Sequence, residues 1–420
     1  MSRRRLRLAI VAVLVGAAGL AAGSASAAPE AQRSRARLED HFTGDDIERS
    51  RRYNGPRYAL SFAAIATGLV AGAAMGLGPG VRRLGRWSAS VSGGRWWLQA
   101  LILAGVVTAV IAIVELPFGI ARFTHDRNFE LVTQPLSGYL ADAAKGLGFQ
   151  LVLAAVTALG FFGIVRLLPR GWPLAAAGFA VALTVALVYL LPVVYEPLFN
   201  KFTPVEGDVR RRVLAIAERA RVPVGEVLVA DASRRTTRQN AYVSGLGATK
   251  RVVLYDTLLA KSSPAEVDLV VAHELAHVAH RDVLKGTVIG CAGAALAVLV
   301  IWRLMSWGAL HEWIGASGPG DPRWLPFLAA LLAVASFVTL PLQNWFSRGI
   351  EADADRAAIA YTSDPDTAIA VEVSLARSNI ADLEPNAAIV WAFYTHPPVL
   401  ERIQIALDAK TRLQGATAGG

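Results

Sequence analysis

Ser263-Pro264-Ala265-Glu266-Val267-Asp268-Leu269-Val270-Val271-Ala272-His273-Glu274-Leu275-Ala276-His277 carries the marks of a helix with a metal-binding face. A capping serine, a proline at the first helical position and a glutamate three residues after the cap set the start at Ser263. His273 and His277, four residues apart, project from one face and can grip one Zn2+, while Glu274 points toward the water that such a metal activates. Apolar Val270, Val271, Leu275 and Val278 surround the pattern, so this helix is expected to pack on others, where unpaired histidines would be costly. The bland alternative is two surface histidines beside a glutamate. A chain with only seven histidines would show the spacing by accident on the order of once in a hundred cases or less. His280 lies on roughly the same face but ~10 Å further along the axis than His273, too far to share its metal.

A catalytic zinc takes three protein ligands and leaves one position open, so a further donor must come from elsewhere. The candidate is in Asn344-Trp345-Phe346-Ser347-Arg348-Gly349-Ile350-Glu351-Ala352-Asp353-Ala354-Asp355. On a helix Glu351 and Asp355 share a face. Glu351 can ligate zinc, and Asp355 can accept a hydrogen bond from the other nitrogen of a ligand histidine. A solvated helix face is the competing reading of these charges, and Asp353, offset by two, is expected there.

The chain around these segments suits a bilayer. Of its 420 residues, 54% are hydrophobic and 18% charged, too apolar for an ordinary soluble protein. Seven runs, near 8–28, 58–78, 97–118, 147–168, 173–193, 286–307 and 324–343, are long enough to cross the hydrocarbon core. The first also reads as a cleavable signal peptide, because Ala25-Ser26-Ala27 follows an Arg-rich start and a short apolar stretch. Between the fifth and sixth runs the sequence turns polar, with amphipathic Asp208–Arg221 and β-rich Glu226–Ala230, Ala241–Leu246 and Arg251–Tyr255. The expected fold is mostly α: a polytopic membrane helical bundle of about seven spans carrying a split, zincin-like α+β catalytic domain. Its parts are 1–28 as first transmembrane helix or signal peptide, 29–193 as N-terminal membrane domain and 194–285 as the first catalytic part. Residues 286–343 follow as two transmembrane helices, 344–414 as the second catalytic part with the third zinc ligand, and 415–420 as a flexible tail.

The formal net charge of +9 sits in arginines flanking apolar runs, and no aromatic-basic module is present, so nucleic acid is not an expected partner. The one cysteine, Cys291, lies in an apolar segment and is read as packing. Glu115 is the one ionisable residue inside a span; near the end of the third run, it is expected to snorkel to the interface. Its isolation argues against a metal transporter, which would carry several such groups.

Ordered matches along the chain also carry a resemblance. They are Leu116-Pro117-Phe118, the Phe129–Gly146 stretch ending Asp142-Ala143-Ala144-Lys145-Gly146, Glu196-Pro197-Leu198-Phe199-Asn200-Lys201-Phe202-Thr203-Pro204, Asn240-Ala241-Tyr242 and Val253-Leu254-Tyr255-Asp256-Thr257-Leu258. The His273–His277 pattern, Ser347-Arg348 to Asp355, and His396-Pro397-Pro398 leading to Glu401-Arg402 complete the series. In these the chain resembles the type I CAAX prenyl endopeptidases, seven-span membrane zinc proteases. The resemblance implies a zinc metalloendopeptidase with one Zn2+ per chain, Glu351 as third ligand beside His273 and His277, and Glu274 as general base.

The resemblance also implies that His396 approaches the site to stabilise an oxyanion, and that Asn240, Ala241 and Tyr242 belong to an edge strand pairing with extended substrate. Read alone, His396 is a loop histidine and Asn240–Leu246 a strand. The implied setting is a multi-pass cell-membrane protein with a cytoplasmic catalytic face, on which the arginine-rich loops pull both ways. Membrane lipids surround it, and peptides or lipidated proteins reach the site through an intramembrane chamber. The short Gly315–Pro322 loop and the absence of a terminal retrieval signal place a membrane-protein quality-control protease level with CAAX processing. A catalytically silent scaffold or a metal transporter is the remote alternative. Oligomeric state is not legible here.

Overall fold

Six helices among the described residues are long and apolar enough to cross a bilayer. The computed structural model describes residues 36–245 and 250–418, so the first apolar run and Leu246 lie outside the described residues. In chain order, α1 (Gly44–Gly76), α2 (Gly78–Val91), α3 (Trp96–Asn128), α4 (Leu136–Leu167) and α5 (Trp172–Val194) form the N-terminal bundle. Then come β1 (Phe202–Pro204), α6 (Gly207–Arg219), β2 (Glu226–Ala230), β3 (Ala241–Ser244), β4 (Arg251–Tyr255), α7 (Asp256–Lys261) and α8 (Pro264–Ala279). Spans return as α9 (Asp282–Met305), the short α10 (Gly308–Ile314) and α11 (Leu325–Thr362), followed by α12 (Pro365–Asn379), α13 (Ala387–Phe393) and α14 (Val399–Ala418).

The spans leave large apolar side chains uncovered, Leu174 at 82% and Val70 at 68% among them, which would be costly in water and suits lipid contact. At the end of the bundle remote from the sheet, Trp324, Phe162, Met305 and Val81 close a separate core between helices of both halves. Spans from before and after the sheet thus share one packing unit.

The four strands run in the order β1-β2-β4-β3. β2 and β4 are parallel, with Leu228 opposite Val253, and β3 returns antiparallel on β4 as the edge strand, Tyr242 opposite Val253. Val252 and Leu254 of this sheet pack with Val213 and Ile216 of α6 and with Val271 and Leu275 of α8. Val271 and Leu275 are fully buried, each contributing about 2 kcal/mol, and they fix the rotation of α8 about its axis.

α8 begins where the capping signals put it. Ser263 Oγ accepts from the Glu266 amide, and the Ser263 amide donates to Glu266 Oε2 at 2.6 Å, a reciprocal pair that stabilises the helix by about 1 kcal/mol. α11 differs from the expected division at 343/344. It runs 38 residues without a break, through Pro341, and carries the last span straight into Glu351 and Asp355. One rigid rod therefore holds both a transmembrane segment and a candidate metal ligand.

Candidate active site

The packing of α8 against α11 brings the two halves of the sequence pattern face to face. His273 Nε2 lies 3.2 Å from Glu351 Oε2 and 3.2 Å from His277 Nε2, and His277 Nε2 lies 3.7 Å from Glu351 Oε2. A tetrahedral zinc with bonds near 2.0–2.1 Å has ligand atoms about 3.3 Å apart, so this triangle fits such an ion. The same three residues form the group of potential ligands found among the described residues.

Each imidazole is held from behind. His273 Nδ1 stands 2.9 Å from Asp355 Oδ1, and His277 Nδ1 stands 3.1 Å from Asp282 Oδ2. These contacts aim both Nε2 atoms at the centre of the triangle. Burial alone would lower the pKa of His273, but the Asp355 and Glu351 carboxylates outweigh it and lift the group to about 10. The field that draws protons onto the imidazoles also favours a dication in their place.

Behind Asp355 a charged relay continues. Arg402 donates from Nε and Nη2 to the two oxygens of Asp355, at 2.8 and 2.6 Å, and its Nη1 lies 3.0 Å from Glu372 Oε2. Lys285 grips Asp282 at 2.9 Å in the same manner. Asp282 and Glu372 are supporting residues that the sequence pattern did not single out, and Arg402, named there among the family matches, was given no role. Asp282 enters because Arg281 adopts a left-handed conformation, φ 57°, that turns the chain from α8 into α9.

A cleft of about 150 Å3 opens on this centre, with His273, Glu274, His396 and Asn240 in its walls. Burial pushes the Glu274 carboxyl above its ordinary range, against the opposing pull of His273 and His277. His396 Nε2 comes within 3.1 Å of Glu351 Oε2. Its turn is fastened to α11 by Arg348, whose Nη1 donates to the carbonyls of Val390 and Tyr394 at 2.8 and 2.7 Å. Asn240, the residue before the edge strand, reaches the cleft, whereas Ala241 is buried and the Tyr242 hydroxyl donates to Glu196. Ala241 and Tyr242 can meet a ligand only through their backbone. Asp353 is exposed and paired with Arg356, and His280 opens onto a separate surface pocket with Lys285 and Arg356.

Residues 204–410 match the family model described as peptidase family M48, and residues 28–201 match the CAAX prenyl protease N-terminal model, described as five membrane helices. The chain belongs to the CAAX prenyl protease-like membrane metalloproteases of family M48. It is 28% identical to the metalloprotease YhfN of Bacillus subtilis over 74% of each chain. To a CAAX prenyl protease 1 homolog of Arabidopsis thaliana it is 27% identical over 74% of this chain and 73% of the relative. The crystal structure of Ste24p from S. mikatae superposes with a TM-score of 0.78 at 21% identity, covering 89% of this chain and 92% of that one. The fold described above, a helical membrane bundle with a small sheet, is Ste24p-like. M48 membership makes the chain a metalloprotease whose site holds a metal, and its helices make it an integral membrane protein.

Proposed function

We propose that this chain is a zinc endopeptidase that cleaves peptide bonds in lipidated or membrane-associated proteins, on the cytoplasmic side of the cell membrane. The observation that carries the reading is the triangle of His273 Nε2, His277 Nε2 and Glu351 Oε2, open toward a cleft that also holds Glu274. In this reading 29–193 is the N-terminal membrane domain, and 194–285 and 344–414 are the two catalytic parts joined by spans.

His273, His277 and Glu351 hold the ion, one per chain. Bound zinc supplies a Lewis acid and lowers the pKa of water toward neutrality. Glu274, one residue after the first ligand, takes the proton of the attacking water and returns it to the departing amine. Its raised pKa suits both halves of that transfer, because a carboxyl titrating closer to neutrality gives a proton up as readily as it takes one. His396 reaches the centre from a different element and donates a hydrogen bond to the carbonyl oxygen as charge develops there. Asp355 and Asp282 hold the two imidazoles in their ligating tautomers, and β3 offers its free edge to an extended peptide.

The relatives' name points to a prenylated peptide. The test is a quenched peptide carrying an S-farnesyl cysteine, offered to the purified chain beside the same peptide without the lipid. Cleavage that a chelator abolishes and zinc restores is the expected result. A zinc-loaded protein that cleaves neither peptide would overturn the proposal.

A further inference from the structure

α3 continues thirteen residues beyond Glu115, to Asn128, so this carboxyl sits in the middle of its helix. Val107, Ile111 and Glu115 form a stripe at four-residue spacing along a cavity of about 240 Å3 between α1, α3 and α11. Val107 and Ile111, with Ala329, also line a larger cavity of about 670 Å3 between α3, α4, α5, α9 and α11. Glu115 itself is exposed and lines the smaller one.

Among the described residues lining the two cavities, Glu115 alone is charged, and it has no hydrogen-bond or ion-pair partner among the described residues. Its Oε1 stands 2.8 Å from the place where a Cβ on Gly68 would project. Alanine at Gly68 would favour the helix by up to ~1 kcal/mol, yet it would crowd the carboxylate.

Phe337, in the wall of the smaller cavity, packs on Phe393 at 6.4 Å between ring centres, and Phe393 lies three residues before His396. Along α11, Phe337 is fourteen residues from Glu351, ~20 Å, a distance that roughly six residues of extended peptide cover.

A lone carboxylate at membrane depth calls for a cation. We propose that Glu115 is a specificity site that binds the ammonium or guanidinium of a lysine or arginine in the substrate, roughly six or more residues from the scissile bond. The inference rests on the endopeptidase reading, and its test separates the two. Full-length, zinc-loaded protein is given paired quenched peptides that differ only in lysine versus norleucine, with the lysine moved stepwise along each side of the scissile bond. At one position in the predicted range, kcat/KM favours lysine by about tenfold, mainly through KM. Glu115→Gln brings the ratio near one, Glu115→Asp keeps part of it, and Glu115→Lys shifts the preference to a glutamate-bearing peptide. A flat lysine scan in the native chain, or a preference that survives in Glu115→Gln, overturns the inference while the peptidase reading stands. Cleavage of no peptide at all overturns the peptidase reading and this inference with it. Should the Glu115 variants fail to fold, the scan with the native chain decides alone.

Discussion

Arg402 covers both oxygens of Asp355, Nε to Oδ2 at 2.8 Å and Nη2 to Oδ1 at 2.6 Å, joining α14 to α11 immediately behind His273. The guanidinium also faces Glu372 on α12. Removing it leaves two buried carboxylates without their cation, so Arg402→Met should destabilise the fold by about 3–5 kcal/mol. Thermal unfolding in detergent measures this. A melting temperature like that of the native chain would show that the relay contributes nothing to stability.

Asp355 acts on the metal through His273. Asp355→Asn should keep the fold and reduce zinc retention or activity by about 10- to 100-fold, read by metal analysis after dialysis and by the peptide assay. Unchanged rate and metal content would return Asp355 to a purely structural place.

Glu274 and Glu351 should fail differently. Glu274→Gln leaves zinc near one per chain while hydrolysis falls by about 10^2- to 10^4-fold. Glu351→Ala loses the ion along with the activity, and added zinc recovers a little of the rate. Stoichiometric zinc and near-normal turnover in Glu351→Ala would send the search for a third ligand elsewhere.

The pH profile follows from Glu274. A general base works only when ionised, and burial raises this carboxyl above its ordinary 4.5, so activity is lost as pH falls through a midpoint above that value. An acid limb of kcat/KM centred at or below 4.5 would contradict the assignment.

The cytoplasmic face can be read with one thiol. Glu218 on α6 is exposed, and Glu218→Cys in a Cys291→Ala background should resist an impermeant maleimide in intact cells and react after lysis. Labelling of intact cells would place the sheet and the metal site outside.

What was local was legible. The Ser263 cap, the four-residue spacing of His273 and His277 and the apolar runs depend on contacts within one or two helical turns, and those within the described residues appear where the residue pattern put them. Glu351 and Asp355 could be read as a pair on one helix. Their meeting with His273 spans 78 residues and came from the family resemblance.

Glu115 shows the opposite case. Placed by run length it sits near a boundary, but α3 passes through Pro117 and on to Asn128, and that continuation moves the residue to mid-helix.

The sequence by itself determined that the chain crosses membranes and that one helix presents two imidazoles and a carboxylate, because helical periodicity and hydrophobicity are properties of neighbouring residues. Only the tertiary structure decided that Asp282 and the Arg402–Glu372 relay back the two histidines, and that Glu115 lines a cavity beside Gly68. Those relations depend on how helices rotate and dock, and the packing of Val271 and Leu275 against the sheet and the unbroken length of α11 set that docking.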